Sequence, residues 1–543
     1  MRYLKWLILV AVSGAWNLST QAQVPVVTLG PEFTVPEDGW DKLLQLKNGN
    51  TCYLNFNKKN GLTVTVYNSK REIVANDTIN TQIWKATDLE STEVDGIFEI
   101  NGQPVLFLQQ LVKNSPILIR LVLDANTGKL LQEDKLGELP TVLHKSVMVS
   151  ENLASHDFYV EKDPKSDYYA IAAFNGSPIQ KTDSLHERIS ITHYSPSHKE
   201  INKGWFYLQD TSYNYFSYIN MAVAGKEKVY LATVGFNTKK ETAVGEPKVF
   251  FSALSPDSAT FAHQIIPATT GASNVSGDIQ LAEQIGQIRM LLHLPAQQNG
   301  NNAGTRVYEF STATGKLVKH VPVALSELDR NAAEHLNYQE PFKGTPQRWQ
   351  LNPDGTSTLM LEKLTFFTQG NSQLSKFHTN LGDVGIALLD TSSRESNTLA
   401  VSKYQVINGV CEPFQLQRRS KSEWIFRNKI AALNTSTYMS YDFIQIPNAS
   451  FVLFNDYLQY LDTGGQDRVR KPLKYAIDAN FVCYRFYNGK IDKLMLFGNP
   501  ETTKGYGCMM GAADYNADKK IYATLLISRK GQERKANIAW IQF

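Results

Sequence analysis

Apolar residues along the chain gather into short runs, alternating or unbroken, and a recurrent turn phrase closes many of them. The run "ILIRLVL" passes into "DANTGKLL" and turns at Asp124, and "RVYEF" passes into "STATGKLV" and turns at Ser311. Comparable phrases turn at Asn68, Ser195, Ser255, Asp390 and Asn488. In each, an apolar strand gives way to Asn, Asp or Ser with Gly or Pro close by, then to another strand. Such side chains bond their own backbone and Gly accepts positive φ, so every phrase predicts a β-hairpin. A second apolar strand precedes each hairpin: "CYLNF" (52–56), "PVLFLQQ" (104–110), "YYAIAAF" (168–174), "VYLATVG" (229–235), "IRMLLH" (288–293), "TLMLEK" (358–363) and "FVLF" (451–454). An eighth, "IYATLLI" (521–527), is followed by "NIAWIQF".

Units of roughly 40–60 residues, each worth about four antiparallel strands, predict an all-β fold, a single β-propeller. One blade cannot bury both of its faces alone, whereas neighbours around a ring cover them. The count is eight blades, with seven as the alternative because the intervals Ser311–Asp390 and Asp390–Asn488 are long. The last unit lacks an outer strand, and "VPVVTLGPEFTVP" (24–36) is a spare β-rich segment. The N-terminal strand is therefore expected to join the last blade and close the ring, removing exposed edges. Two β-sandwich or barrel domains are the competing architecture.

The N-terminus changes the picture. Arg2 and Lys5 precede "WLILVAVSGAW", an apolar stretch too short to span a bilayer comfortably, and small residues stand at Thr20 and Ala22. This reads as a signal peptide over 1–22, cleaved after Ala22, leaving residues 23–543 as a periplasmic or secreted propeller with no later transmembrane segment. Net charge is +3, from 55 basic and 52 acidic residues, so no global field favours nucleic acid. The four cysteines, Cys52, Cys411, Cys483 and Cys508, lie far apart with no C-x-x-C pair, which argues against zinc. Three sit in or beside apolar runs and read as small buried residues, with disulfides in three possible pairings as the alternative.

The "DANTGKL" and "STATGKL" turns resemble hairpins of many propeller families, quinoprotein-like and WD40-like ones among them. The leader ending "QAQ" and the block "FIQIPNASFVLFNDYLQY" (443–460) resemble secreted β-propeller proteins of Bacteroidota. That resemblance implies export and a propeller, and carries no catalytic residue onto this chain.

Candidate chemistry is sparse. There is no G-x-S-x-G elbow, phosphate loop, dinucleotide fingerprint, H-E-x-x-H or sialidase-type Asp box, and no cofactor is expected. "DYNADKK" begins like a calcium loop at Asp514, but Lys519 and Leu525 stand where Gly and Glu are needed, so it reads as a polar hairpin. Two stretches suit recognition. "WFYLQDTSYNYFSY" (205–218) offers Trp205, Tyr207, Tyr213 and Tyr215 as an aromatic platform, with Tyr218 at its end. An insertion around 403–431 carries Arg418, Arg419, Lys421, Trp424, Phe426 and Arg427, cations beside aromatics that suit an acidic partner or an anionic glycan. It is expected to project from the propeller rim, where specificity commonly sits.

The leading functional expectation is an exported, non-catalytic binding or scaffold protein that engages a protein or glycan of the cell envelope. The alternative is an enzyme acting on polysaccharide or peptide in the central depression. An enzyme predicts several convergent carboxylates or histidines near the axis, and a scaffold predicts a channel of small and apolar side chains.

Overall fold

Eight antiparallel sheets follow one another along the chain and form a ring, an eight-bladed β-propeller. The structure is a computed structural model and describes residues 24–36, 38–141, 157–175, 188–208, 213, 215–237, 247–268, 275–294, 304–369, 376–419, 438–457, 473, 479–498, 505–530 and 533–543. Blades 1 to 8 occupy 40–78, 92–138, 157–205, 215–266, 276–322, 345–401, 441–494 and 506–542. The ring predicted from the repeated phrase forms with the larger of the two expected counts.

All eight apolar runs named above are the second strands of their blades, for example Thr51–Asn57, Gln287–Leu294 and Ile521–Lys530. They are covered on both faces by neighbouring blades, so their apolar runs are unbroken rather than alternating. The predicted hairpins are the turns from third to fourth strand. In the two near-identical copies, Gly128 donates its N–H to the Asp124 carbonyl at 2.9 Å and Gly315 to the Ser311 carbonyl at 2.7 Å. Both glycines sit at positive φ, 71° and 68°, which only glycine adopts readily. The same phrase thus marks the same corner of blades 2 and 5.

Ring closure follows the expected route. Val26–Leu29 pairs antiparallel with the last strand, Glu533–Gln542, in the register Val26↔Gln542 to Leu29↔Ala539. Phe33–Thr34 pairs further along the same strand, and Val35 is buried in the core cluster beside Trp540. Residues 26–34 and the last strand therefore share blade 8.

The four cysteines are free and buried, as small core residues. Among the described residues no helix is long and apolar enough to cross a membrane. Residues 1–22, with the expected leader and its cleavage site, lie outside the described residues.

The innermost strands carry a different pattern. They are Trp40–Gln45, Thr92–Ile100, Asp157–Lys162, Tyr215–Ala224, Ser276–Ala282, Thr345–Leu351, Tyr441–Ile446 and Tyr506–Asn516. Each odd-numbered blade places an aspartate within the first three residues of this strand: Asp41, Asp157, Asp278 and Asp442. Each even-numbered blade instead has a register shift against its second strand, at Val94/Gly96, Tyr218/Asn220, Pro346/Arg348 and Met509/Asp514. Such bulges kink a strand and re-aim its side chains.

Candidate functional site

An inner strand presents one edge of backbone polar groups toward the axis, and those groups need partners. Side chains of adjacent blades supply them. Gln280 of blade 5 donates from Nε2 to the Trp349 carbonyl at 2.8 Å, and its Oε1 accepts from the Leu351 N–H at 2.7 Å. Asn220 of blade 4 accepts from the Ile279 N–H at 2.9 Å. Lys42 of blade 1 donates to the carbonyls of Ala513 at 2.8 Å and Gly511 at 3.2 Å in blade 8. Gly277 lets blades 4 and 5 approach, since a Cβ there would lie 3.1 Å from Ile219 of blade 4, as well as 2.6 Å from the Leu291 carbonyl oxygen of its own blade.

Between the inner strands of blades 2 to 6 lies a cavity of about 1060 Å³. Its wall carries the carboxylates Asp95, Asp157, Glu161 and Asp278 and the amides Asn220, Gln280, Gln350 and Gln417. Tyr159 and Tyr218 also face it, stacked with ring centroids 3.8 Å apart and planes 7° from parallel. The Tyr218 hydroxyl is buried and has no hydrogen-bond partner. Burial pushes both phenols well above their ordinary range, so they stay neutral hydrogen-bonding groups. Asp278 is nearly inaccessible, and burial pushes its carboxyl up to about 6 despite hydrogen bonds from Gln280, Gln417 and the Ile279 backbone.

The opposite side of the axis is a knot of charge. Burial lowers the Lys42 ammonium to about 8, and Lys42 feels Asp514, Arg419, Asp442 and Arg348, so residues of four blades meet there. Arg419 pairs with Asp442 at 2.8 Å, and Asp442 also accepts from the Tyr522 hydroxyl at 2.7 Å. Asp514 accepts from the Gln45 N–H at 2.7 Å and is raised by burial. Among the described residues no group of three His, Cys, Asp or Glu is placed to hold a metal ion.

The insertion departs from expectation. Its first part does not project from the rim. Gln405–Asn408 pairs with His378–Leu381, and residues 410–414, Gln417 and Arg418 line the central cavity. Apolar burial is the cause: Phe414 packs in the cluster holding Trp349 and Leu361, and Leu416 in the cluster holding Met360 and Tyr441. The Phe414 N–H donates to the Pro346 carbonyl at 2.8 Å and the Gln417 N–H to the Gln347 carbonyl at 3.2 Å, tying the segment along the inner strand of blade 6.

Of the candidate residues, Arg418 thus lies in the cavity wall, 3.5 Å from Glu412, and Arg419 is committed to Asp442. Lys421, Trp424, Phe426 and Arg427 lie outside the described residues. Of the aromatic candidates at 205–218, two lie inside and two nearer the surface. Tyr213 and Tyr215 are buried, the first against Phe250 and the second stacked on Phe236. Trp205 ends the outermost strand of blade 3 under the Lys203 ammonium, and Tyr207 is half-buried just beyond it. They belong to an outer strand and a blade-to-blade connection, where alternate aromatics must pack inward. Tyr218, the last residue of that stretch, is the one that reaches the cavity.

No family model matches the chain, and no curated protein matches it in sequence. Among solved structures it is similar to prolyl oligopeptidase B from Galerina marginata bound to a hydrolysis and macrocyclization substrate, with 7% identity and TM-score 0.39. That match covers 93% of this chain and 55% of the peptidase, so the chain spans little more than half of that relative's length. It is also similar to an ulvan lyase of a new polysaccharide lyase family, with 10% identity over 86% of this chain and 98% of that one, TM-score 0.35. A luciferin-regenerating enzyme matches with 10% identity over 72% of this chain and 99% of that one, TM-score 0.24. At these values the matches carry no argument about the site or its chemistry.

Proposed function

We propose that the protein is an exported glycan-binding propeller whose central cavity is the binding site. The observation that carries this reading is the stacked Tyr159–Tyr218 pair set among carboxylates and amides in a cavity of about 1060 Å³. Sugar rings offer apolar C–H faces and a rim of hydroxyls, and such a wall answers both: ring faces for the first, acceptors and amide donors for the second. The basic and apolar leader supports export, and the resemblance to secreted Bacteroidota propellers points the same way.

A catalytic reading has one specific observation in its favour. Asp278, with its carboxyl near 6, is poised to hold or release a proton at mildly acidic pH beside the other cavity carboxylates. An oligosaccharide array followed by calorimetry separates the readings. The glycan reading expects binding that Tyr218→Ala weakens at least tenfold with the fold intact, and product analysis after incubation shows whether bound glycan is cut. Binding unaffected by Tyr218→Ala would move the site out of the cavity.

A further inference from the structure

Arg348 lies on the inner strand of blade 6, directly after the bulge at Pro346/Arg348, and lines the central cavity. Its guanidinium makes no hydrogen bond or ion pair with any described residue. The contrast with its neighbours is sharp. Arg419 has Asp442, Arg418 has Glu412 and the Pro413 carbonyl, and Lys42 has two carbonyls. A half-buried guanidinium holds five donors in a fixed fork, and such groups are ordinarily matched by an acceptor.

Trp349, the next residue along the strand, turns its side chain the other way, into the core cluster with Leu359 and Leu361. Asp278 is close enough for Arg348 to act on it, yet Asp278 already takes hydrogen bonds from Gln280 and Gln417, and Arg348 is the weakest of the influences on it. The inner strand of blade 6 therefore presents donor capacity that the protein leaves unanswered.

Resting on the glycan reading of the cavity, we propose that the ligand carries an anionic substituent, a carboxylate or a sulfate, and that Arg348 is the residue that pairs with it. A guanidinium matches either group with two parallel hydrogen bonds, which an uncharged hydroxyl pair cannot equal in strength. Tyr159 and Tyr218 then hold the sugar ring, and Arg348 reads its charge.

The test uses the full chain and three tetrasaccharide probes, one uronate-containing, one sulfated and one neutral. Each is titrated calorimetrically against wild type, Arg348→Gln and Arg348→Lys at low and high salt. The expected result is that wild type prefers at least one charged probe and loses affinity for it with salt. Arg348→Gln weakens that probe roughly 10- to 100-fold, as the loss of charged hydrogen bonds implies. Arg348→Lys retains part of the affinity, and the neutral probe is unchanged throughout. Melting curves confirm that both variants fold. Equal binding of charged and neutral probes, or a charged probe indifferent to Arg348→Gln, overturns the anionic assignment and leaves the glycan reading standing. Failure of every probe to bind wild type overturns both.

Discussion

Replacing Lys403 with methionine leaves a charge stranded in the interior. Lys403 Nζ and Glu362 Oε1 lie 2.6 Å apart, and neither side chain has any exposure. Nζ also donates to the Leu381 carbonyl at 3.0 Å and to Gln405 Oε1 at 3.2 Å, while Glu362 accepts from the Ser440 hydroxyl at 2.8 Å. Methionine fills much of the lysine stem but leaves the carboxylate with Ser440 alone. Removing one partner of a buried pair costs about 3–5 kcal/mol. Unfolding entropy near 2.1 cal/mol/K per residue gives about 1.1 kcal/mol/K for this chain, so the loss lowers the Tm by about 3–5 °C. The consequence reaches the site, because Lys403 stands at the root of the segment that lines the cavity through residues 410–414, Gln417 and Arg418. Differential scanning calorimetry at neutral pH reads the shift. Glu362→Gln combined with Lys403→Met removes both charges and should recover at least half of it. A single variant melting within about 1 °C of wild type would refute the reasoning, as would a double variant less stable than the single.

Three other outcomes are expected. Asp278 has its folded pKa raised to about 6 by burial, so its contribution is fully present below about pH 4 and is lost as pH rises through 6, by about 3 kcal/mol for two units; Asp278→Asn should therefore gain on wild type in melts between pH 4 and 7, and parallel pH profiles would contradict this. Removing residues 24–36 takes Val35 from the core, worth about 2 kcal/mol, and bares the edge of the last strand, so the shortened chain should melt lower and self-associate on size exclusion. The four thiols are buried, with Cys52 pushed up to about 12 and Cys411, Cys483 and Cys508 also raised, so a thiol reagent should label none in the native protein and all four after unfolding.

The second and third strands were legible in the sequence because both of their faces are buried and their turns need Gly, Asn, Asp or Ser. Leu106, Met290 and Phe451 announce themselves as core, and Gly128 and Gly315 mark the corners. The inner strands were not legible for the opposite reason. Their edge faces a polar channel, so "WDK", "HDF", "GDI" and "YDF" carry an aspartate where an apolar run would have been noticed. That recurring aspartate at the start of each odd-numbered blade was the available signal for the axis. Arg348 had no signal of its own, since its exposure to the cavity depends on a bulge that only strand pairing reveals. The basic insertion misled because its charges were read without Phe414 and Leu416, whose burial folds the segment inward.

The central claim is that the protein works through its axial cavity rather than its outer surface. A crystal structure of the full chain with the tightest-binding oligosaccharide tests it most directly. The account predicts a sugar ring against Tyr159 and Tyr218, with its charged substituent within hydrogen-bond distance of Arg348. A ligand held instead against Trp205 and Tyr207 or by residues 420–437, with no sugar in the cavity, would contradict it.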